Sequence, residues 1–111
     1  MTKQDFQKLA ENHILLLDGA TGSNLMKAGM PRGVCTESWV IEHKDVIQSL
    51  QKAYIEAGSH IIYAPTFGGN RINLTMHGLE DQIEQINHTL AGYSKEIAPE
   101  GAQPRLQICS I

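Results

Sequence analysis

The sequence predicts an α/β fold with parallel strands, and three observations carry that prediction. The first is Ile14-Leu15-Leu16-Leu17, an unbroken apolar run that leads into Asp18 and a loop of small residues. An apolar run without alternation marks a strand covered on both faces, as in a parallel sheet. The second is the set Val46, Ile47, Leu50, Ala53, Tyr54 and Ala57, which recurs at intervals of three and four and so reads as one face of a helix. The third is order: strand-like runs alternate with helical ones, which implies right-handed βαβ units.

In chain order, residues from about 2 to 12 read as a short amphipathic helix with Phe6, Leu9 and Ala10 on one side, suited to cover the bottom of a sheet. The strand at 14–17 follows, then a short helix through Asn24-Leu25-Met26-Lys27-Ala28 that stops at Gly29, with Pro31 beyond. Residues 29–36 read as an irregular loop carrying Cys35. Trp39, the one tryptophan, reads as a packing residue that pins this loop down. A helix over 45–57 ends at Gly58. Ser59-His60-Ile61-Ile62-Tyr63-Ala64 is short, β-branched and bounded by Gly and Pro, a second buried strand. The loop Pro65-Thr66-Phe67-Gly68-Gly69-Asn70 leads into a short helix to His77, broken by Gly78. A longer helix over 79–97 has a stripe of Ile83, Ile86, Leu90 and Tyr93. Residues 98–104 form a turn-rich connector, and Leu106-Gln107-Ile108-Cys109-Ser110-Ile111 reads as a third strand, where the sequence stops. Ending there, the chain reads as one partial domain over residues 1–111, about three βα units. This is what the opening third of an eight-stranded (β/α)8 barrel would supply.

Chemistry concentrates in Asp18-Gly19-Ala20-Thr21-Gly22-Ser23. The aspartate stands at the carboxyl end of a strand, where α/β folds place their sites. Gly19 and Gly22 permit a tight turn and close backbone approach to a ligand. Thr21 or Ser23 can cap the helix that follows and so present a positive helix end. The plain structural alternative is an ordinary βα turn with a capping residue.

Composition narrows the function classes. Hydrophobic residues make up 41% and charged residues 19% of the chain, and its formal net charge is -3. That profile argues against disorder, and with no Lys/Arg stripe it gives no reason to expect a nucleic-acid partner. No apolar run approaches the ~20 residues that span a bilayer, and the N-terminus lacks a signal-peptide core, which points to the cytoplasm. Cys35 and Cys109 lack metal-ligand spacing, and a reducing compartment disfavours a disulfide between them. His13, His43, His60, His77 and His88 are dispersed and read as satisfied or solvated side chains. The stretch from Glu80 to Gln85 reads as a solvated helix surface.

Four blocks then fall in a familiar order and spacing: Asp18-Gly19-Ala20-Thr21-Gly22, Glu37-Ser38-Trp39, Tyr54-Ile55-Glu56-Ala57-Gly58-Ser59 and Thr66-Phe67-Gly68. With these the chain resembles the homocysteine S-methyltransferase family, most closely its cobalamin-dependent branch, over nearly its whole length. The resemblance implies a TIM barrel in which zinc, held by three cysteine thiolates, binds the homocysteine thiol and lowers its pKa so that a thiolate attacks the methyl donor. In this branch cobalamin and methyltetrahydrofolate would be handled by other domains. The family's zinc ligands lie in a Gly-x-Asn-Cys segment and a paired-Cys segment. Neither occurs here, and neither Cys35 nor Cys109 takes that role.

What carries over is the amino-acid end of the substrate. Asp18 matches the aspartate that binds the homocysteine ammonium, and the N–H groups of Gly19, Ala20 and Thr21 match the loop that receives its carboxylate. Thr66 and Phe67 match a loop lining the pocket, and Thr36 and Glu37 a loop near the substrate. Pro65 stands where relatives commonly have Asn, and some relatives carry an aromatic in place of Cys35. Two other readings stay open: a non-catalytic small-molecule module that self-associates through open sheet edges, and a phosphate-binding βα unit, which lacks the Lys and Gly spacing of a P-loop.

Overall fold

The structure, a computed structural model, describes residues 2–12 and 14–97 and the backbone of residues 107–109. Among the described residues, six helices and two strands follow in the order α1 (Lys3–Asn12), α2 (Gly22–Lys27), α3 (Thr36–Glu42), α4 (Lys44–Glu56), β1 (Ile61–Tyr63), α5 (Arg71–Met76), a 3-10 turn (Glu80–Gln82), α6 (Ile83–Ile97) and β2 (Gln107–Cys109). His13, the connector at 98–104, the flanks of the third strand and the Cys109 side chain lie outside the described residues.

The strands are parallel, as the βαβ order requires, with Ile62 opposite Ile108. The first apolar run joins them by a single parallel bridge, Leu17 to Ile61. Ile61 donates to the Leu16 carbonyl (3.2 Å) and accepts from the Asp18 N–H (3.0 Å). Successive residues of a strand turn their hydrogen-bonding groups to opposite sides, so the first run and β2 flank β1 on its two edges. The sheet therefore follows chain order. His60 adds a side-chain tie, its Nδ1 accepting from the Leu16 N–H at 3.1 Å.

Two expectations fail on this side of the molecule. The run at 14–17 is bridged rather than buried: Ile14 is 86% exposed, Leu16 50% and Leu17 51%. An apolar run reports a preference for cover, and among the described residues nothing supplies that cover. The N-terminal helix α1 forms as its periodicity predicts, yet none of its residues is buried.

The core is built by helices instead. Leu25 of α2, Val40 of α3, Ile47 of α4, Leu74 of α5, and Ile86 and Leu90 of α6 close on one another, joined by Met30 and Cys35. The α6 stripe packs as predicted, with Ile83 and Tyr93 at its margin. In α4 the inner face centres on Ile47 and Gln51, which leaves Ala53 and Ala57 exposed. Gln51 is buried because it is fully engaged. Its amide donates to the Tyr63 carbonyl (3.0 Å) and accepts from the Ser94 hydroxyl (3.0 Å), tying α4 and α6 to the end of β1.

The helix α3 begins at Thr36, the last residue of what reads in sequence as a loop. Trp39 stacks on His43 one turn later (centroids 3.8 Å apart, 8° between planes) and packs on the core. The chain is thus a mostly helical α/β structure whose short parallel strands end beside two loops.

Candidate functional site: a pocket between two loops

The first loop leaves the sheet at Asp18. In a regular parallel ladder the Tyr63 N–H would next find a backbone carbonyl; here it donates to Asp18 Oδ2 at 3.2 Å. The side chain stands in for the main chain, and the backbone turns away. Burial pushes the Asp18 carboxyl above its ordinary pKa, against the pull of the Tyr63 N–H. The loop is then held by one carbonyl, that of Ala20, which accepts from the Tyr54 hydroxyl (2.8 Å) and Asn24 Nδ2 (2.8 Å).

Neither Gly19 nor Gly22 adopts positive φ, so the freedom predicted for them is not used for a turn. Gly19 is needed for proximity instead, because a Cβ there would lie 2.9 Å from the Tyr54 hydroxyl. The predicted side-chain cap is also absent. Thr21 occupies the N-cap position of α2 with φ -110 and ψ -54 and makes no capping bond, while Ser23 lies inside the helix. The extended backbone that aims an N-cap oxygen at the next turn is missing. Among the described residues, the N–H groups of Gly19, Ala20 and Thr21 have no protein acceptor.

The second loop follows β1 and is held by two asparagines. Asn73 Nδ2 donates to the Gly68 carbonyl (2.8 Å), and Asn87 Nδ2 reaches back from α6 to the Gly69 carbonyl (2.6 Å). Asn70 caps α5 by accepting from the Asn73 N–H (2.9 Å), as the sequence suggests for the start of that helix. Thr66 is buried, and its N–H donates to the Ala64 carbonyl at 2.7 Å.

The first turn of α3 faces this loop. Glu37 is only 4% exposed. Its carboxylate accepts from Asn73 Nδ2 at 3.4 Å, and the nearby Gly68 N–H favours its charged form. The approach is so close that a Cβ on Gly68 would overlap Glu37 Oε1, which is why the loop has glycine there. Burial raises the Glu37 pKa, while its own N–H, the charge of His77 and the Gly68 N–H pull it down.

Between the loops lies an open pocket of about 490 Å³. Gly19, Thr21 and Gly22 form one wall, Thr36 and Glu37 with Val34 a second, and Pro65, Phe67 and Gly68 a third, with Asn73 and His77 between. Of the residues singled out in the sequence, Gly19, Thr21, Thr36, Glu37 and Phe67 are brought together here. Asp18, Ala20 and Thr66 stand behind the lining. Asn73 and His77 are additions, and the pair Asn70 and Asn73 at capping distance was the one sequence signal for the former.

No three His, Cys, Asp or Glu side chains among the described residues come together to hold a metal, and Cys35 is a free, buried thiol. Two cysteines cannot make a three-thiolate site. No helix among the described residues is long and apolar enough to cross a membrane.

Residues 15–111 match the family model described as homocysteine S-methyltransferase. The chain is 26% identical over 106 residues to the methionine synthase of Mycobacterium tuberculosis, which covers 90% of this chain and 9% of that protein. The methionine synthase of Mycobacterium leprae gives the same figures. An S-methylmethionine–homocysteine S-methyltransferase of Pongo abelii is 27% identical over 96 residues, covering 86% of this chain and 25% of that protein. The chain thus spans a quarter or less of the length of these relatives.

Proposed function

The chain belongs to the homocysteine S-methyltransferase family, and on that premise we propose that its pocket receives the amino-acid end of homocysteine. The observation that carries this reading is the pairing of opposite polarities across one cavity. On one side Gly19 and Thr21, whose N–H groups have no protein acceptor among the described residues, line the cavity with Ala20 behind them, and on the other Glu37 presents a buried carboxylate. An amino-acid head group, anionic at one end and cationic at the other, fits that division. Asp18, Thr36, Thr66 and Phe67 complete the surroundings. The strand order, with β1 flanked by its neighbours in sequence, supports placing the chain as the opening units of a (β/α)8 barrel.

What these residues do is bind and orient. The loop amides hold the carboxylate, the acid side chains hold the ammonium, and the thiol is left pointing out of the pocket mouth past Phe67. The described residues do not fit the family's zinc, so thiol activation is not assigned to them. In relatives of the methionine synthase type, cobalamin and methyltetrahydrofolate would act from other domains. The 111-residue chain should therefore bind homocysteine without transferring a methyl group to it. Calorimetric titration with homocysteine tests the first half, with binding weakened in Asp18→Ala. Incubation with methylcobalamin and homocysteine tests the second, and methionine formed above a buffer blank would refute it.

A second reading has one observation in its favour. The exposed Ile14, Leu16 and Leu17 lie on a sheet edge with no further strand beside it among the described residues, which invites pairing with another copy. Light scattering on the purified chain separates a monomer from such an assembly.

A further inference from the structure

We infer that Tyr54 is a positioning residue for ligand binding: with Asn24 it sets the plane of the Ala20–Thr21 peptide and so turns the Thr21 N–H toward the pocket. The inference rests on the amino-acid reading above and names what prepares the carboxylate end of that site.

The first loop has little with which to fix itself. The side chains of Gly19, Ala20 and Gly22 offer no polar group, and Thr21 makes no capping bond. Its backbone is held from neighbouring helices instead. Tyr54, in the last turn of α4, donates its hydroxyl to the Ala20 carbonyl at 2.8 Å. Asn24, in the first turn of α2, donates Nδ2 to the same oxygen at 2.8 Å and to the Tyr54 hydroxyl at 3.4 Å. Three polar groups thus close into one triangle. The Tyr54 ring also lies against Gly19, where a Cβ would come within 2.9 Å of the hydroxyl and 3.1 Å of a ring carbon.

A trans peptide carries its C=O and the following N–H in opposite directions. Holding the Ala20 carbonyl on Tyr54 and Asn24 therefore sends the Thr21 N–H the other way. Gly19 and Thr21 line the cavity whereas Tyr54 and Asn24 do not, so the other way is toward it. The next carbonyl is held too, that of Thr21 accepting from the Leu25 N–H at 2.9 Å, and the amide is braced on both sides. Rotation of an unbraced plane would offer the pocket an oxygen, which repels a carboxylate where the N–H attracts it. A donor already aimed costs nothing to orient when the ligand arrives. The Tyr54 hydroxyl itself stays behind the lining, so its effect belongs to carboxylate recognition alone.

The test compares homocysteine with its decarboxylated analogue 3-aminopropanethiol by calorimetric titration of the full chain. The wild type should prefer homocysteine by roughly 10- to 100-fold, the range for hydrogen bonds to a charged group. Tyr54→Phe keeps the ring against Gly19 and removes only the clamp. It should cut that preference by roughly 3- to 10-fold, as for one hydrogen bond, with homocysteine weakened and 3-aminopropanethiol not. A Tyr54→Phe chain that keeps the full preference, or that binds both ligands more weakly in equal measure, overturns the inference and leaves the amino-acid reading in place. A wild type that binds neither ligand, or both equally, overturns that reading and the inference with it. If circular dichroism shows Tyr54→Phe unfolded, Asn24→Ala decides, since it removes the other donor to the Ala20 carbonyl: the preference should shrink by a similar factor, and an unchanged preference refutes the inference.

Discussion

The helical side and the sheet edge of this molecule spend similar residues to opposite ends. Leu25, Val40, Ile47, Leu74 and Leu90 are wholly buried between helices, whereas Ile14, Leu16 and Leu17 remain half or more exposed. Apolar character is common to both groups. What differs is the company each keeps: the helices face one another, and among the described residues the first run has a neighbour on one edge only. Hydrophobic burial here is decided by partners, and stability should be concentrated where partners exist.

The sharpest way to break this contrast is Leu90→Ala. Removing a fully buried leucine from a close-packed cluster should cost about 2–5 kcal/mol, read as a fall in the urea midpoint. Gln51→Ala comes next, because it strips partners from the Tyr63 carbonyl and the buried Ser94 hydroxyl, the polar link between the two sides. The loss should be about 1–3 kcal/mol, and Gln51→Ala should also weaken homocysteine binding if the helical side steadies β1.

Acid titration follows. Burial raises the pKa of Glu37, so above the ordinary glutamate value the folded chain keeps a proton that the unfolded chain has lost. Stability should therefore fall as pH rises through that window, and be greatest on its acid side. Asp18 acts in the same direction. The difference between wild type and Glu37→Gln, followed from about pH 4 to 7, isolates the Glu37 share, and Glu37→Gln should show the flatter profile. The smallest effect is reserved for Leu16→Ser, within about 0.5 kcal/mol of wild type as for other exposed positions. A Leu16→Ser loss approaching that of Leu90→Ala would mean that a partner covers this edge in solution.

Local signals are legible in the sequence, and partnerships are not. The α6 stripe, the Asn70 cap and the break at Gly78 depend on spacing within a few residues, and each is where the pattern puts it. The run at 14–17 has the composition of a covered strand, but composition does not say whether a cover exists. Gln51 is not legible as a core residue because a polar residue in an apolar stripe reads as surface; the Tyr63 carbonyl and Ser94, far away in sequence, explain its burial. In the sequence the loop over 29–36 ends at Thr36, and no helix is assigned to residues 37–42, where α3 runs. At the pocket, the small residues after Asp18 and the acid at Glu37 were legible as types. That one acid would turn to the backbone and the other to the cavity depends on contacts 31 to 45 residues apart in sequence, such as that of Gly68 with Glu37 and that of Tyr63 with Asp18.

The way Asp18 ends the first ladder has a further consequence. Because a carboxylate completes the pattern that a peptide carbonyl would otherwise finish, the path of the chain after it is uncoupled from the pleat. Grafts or altered lengths beyond that point can re-aim the loop with its root unmoved, provided the anchor keeps its acid. The scaffold and the part that meets a ligand can in this way change at different rates.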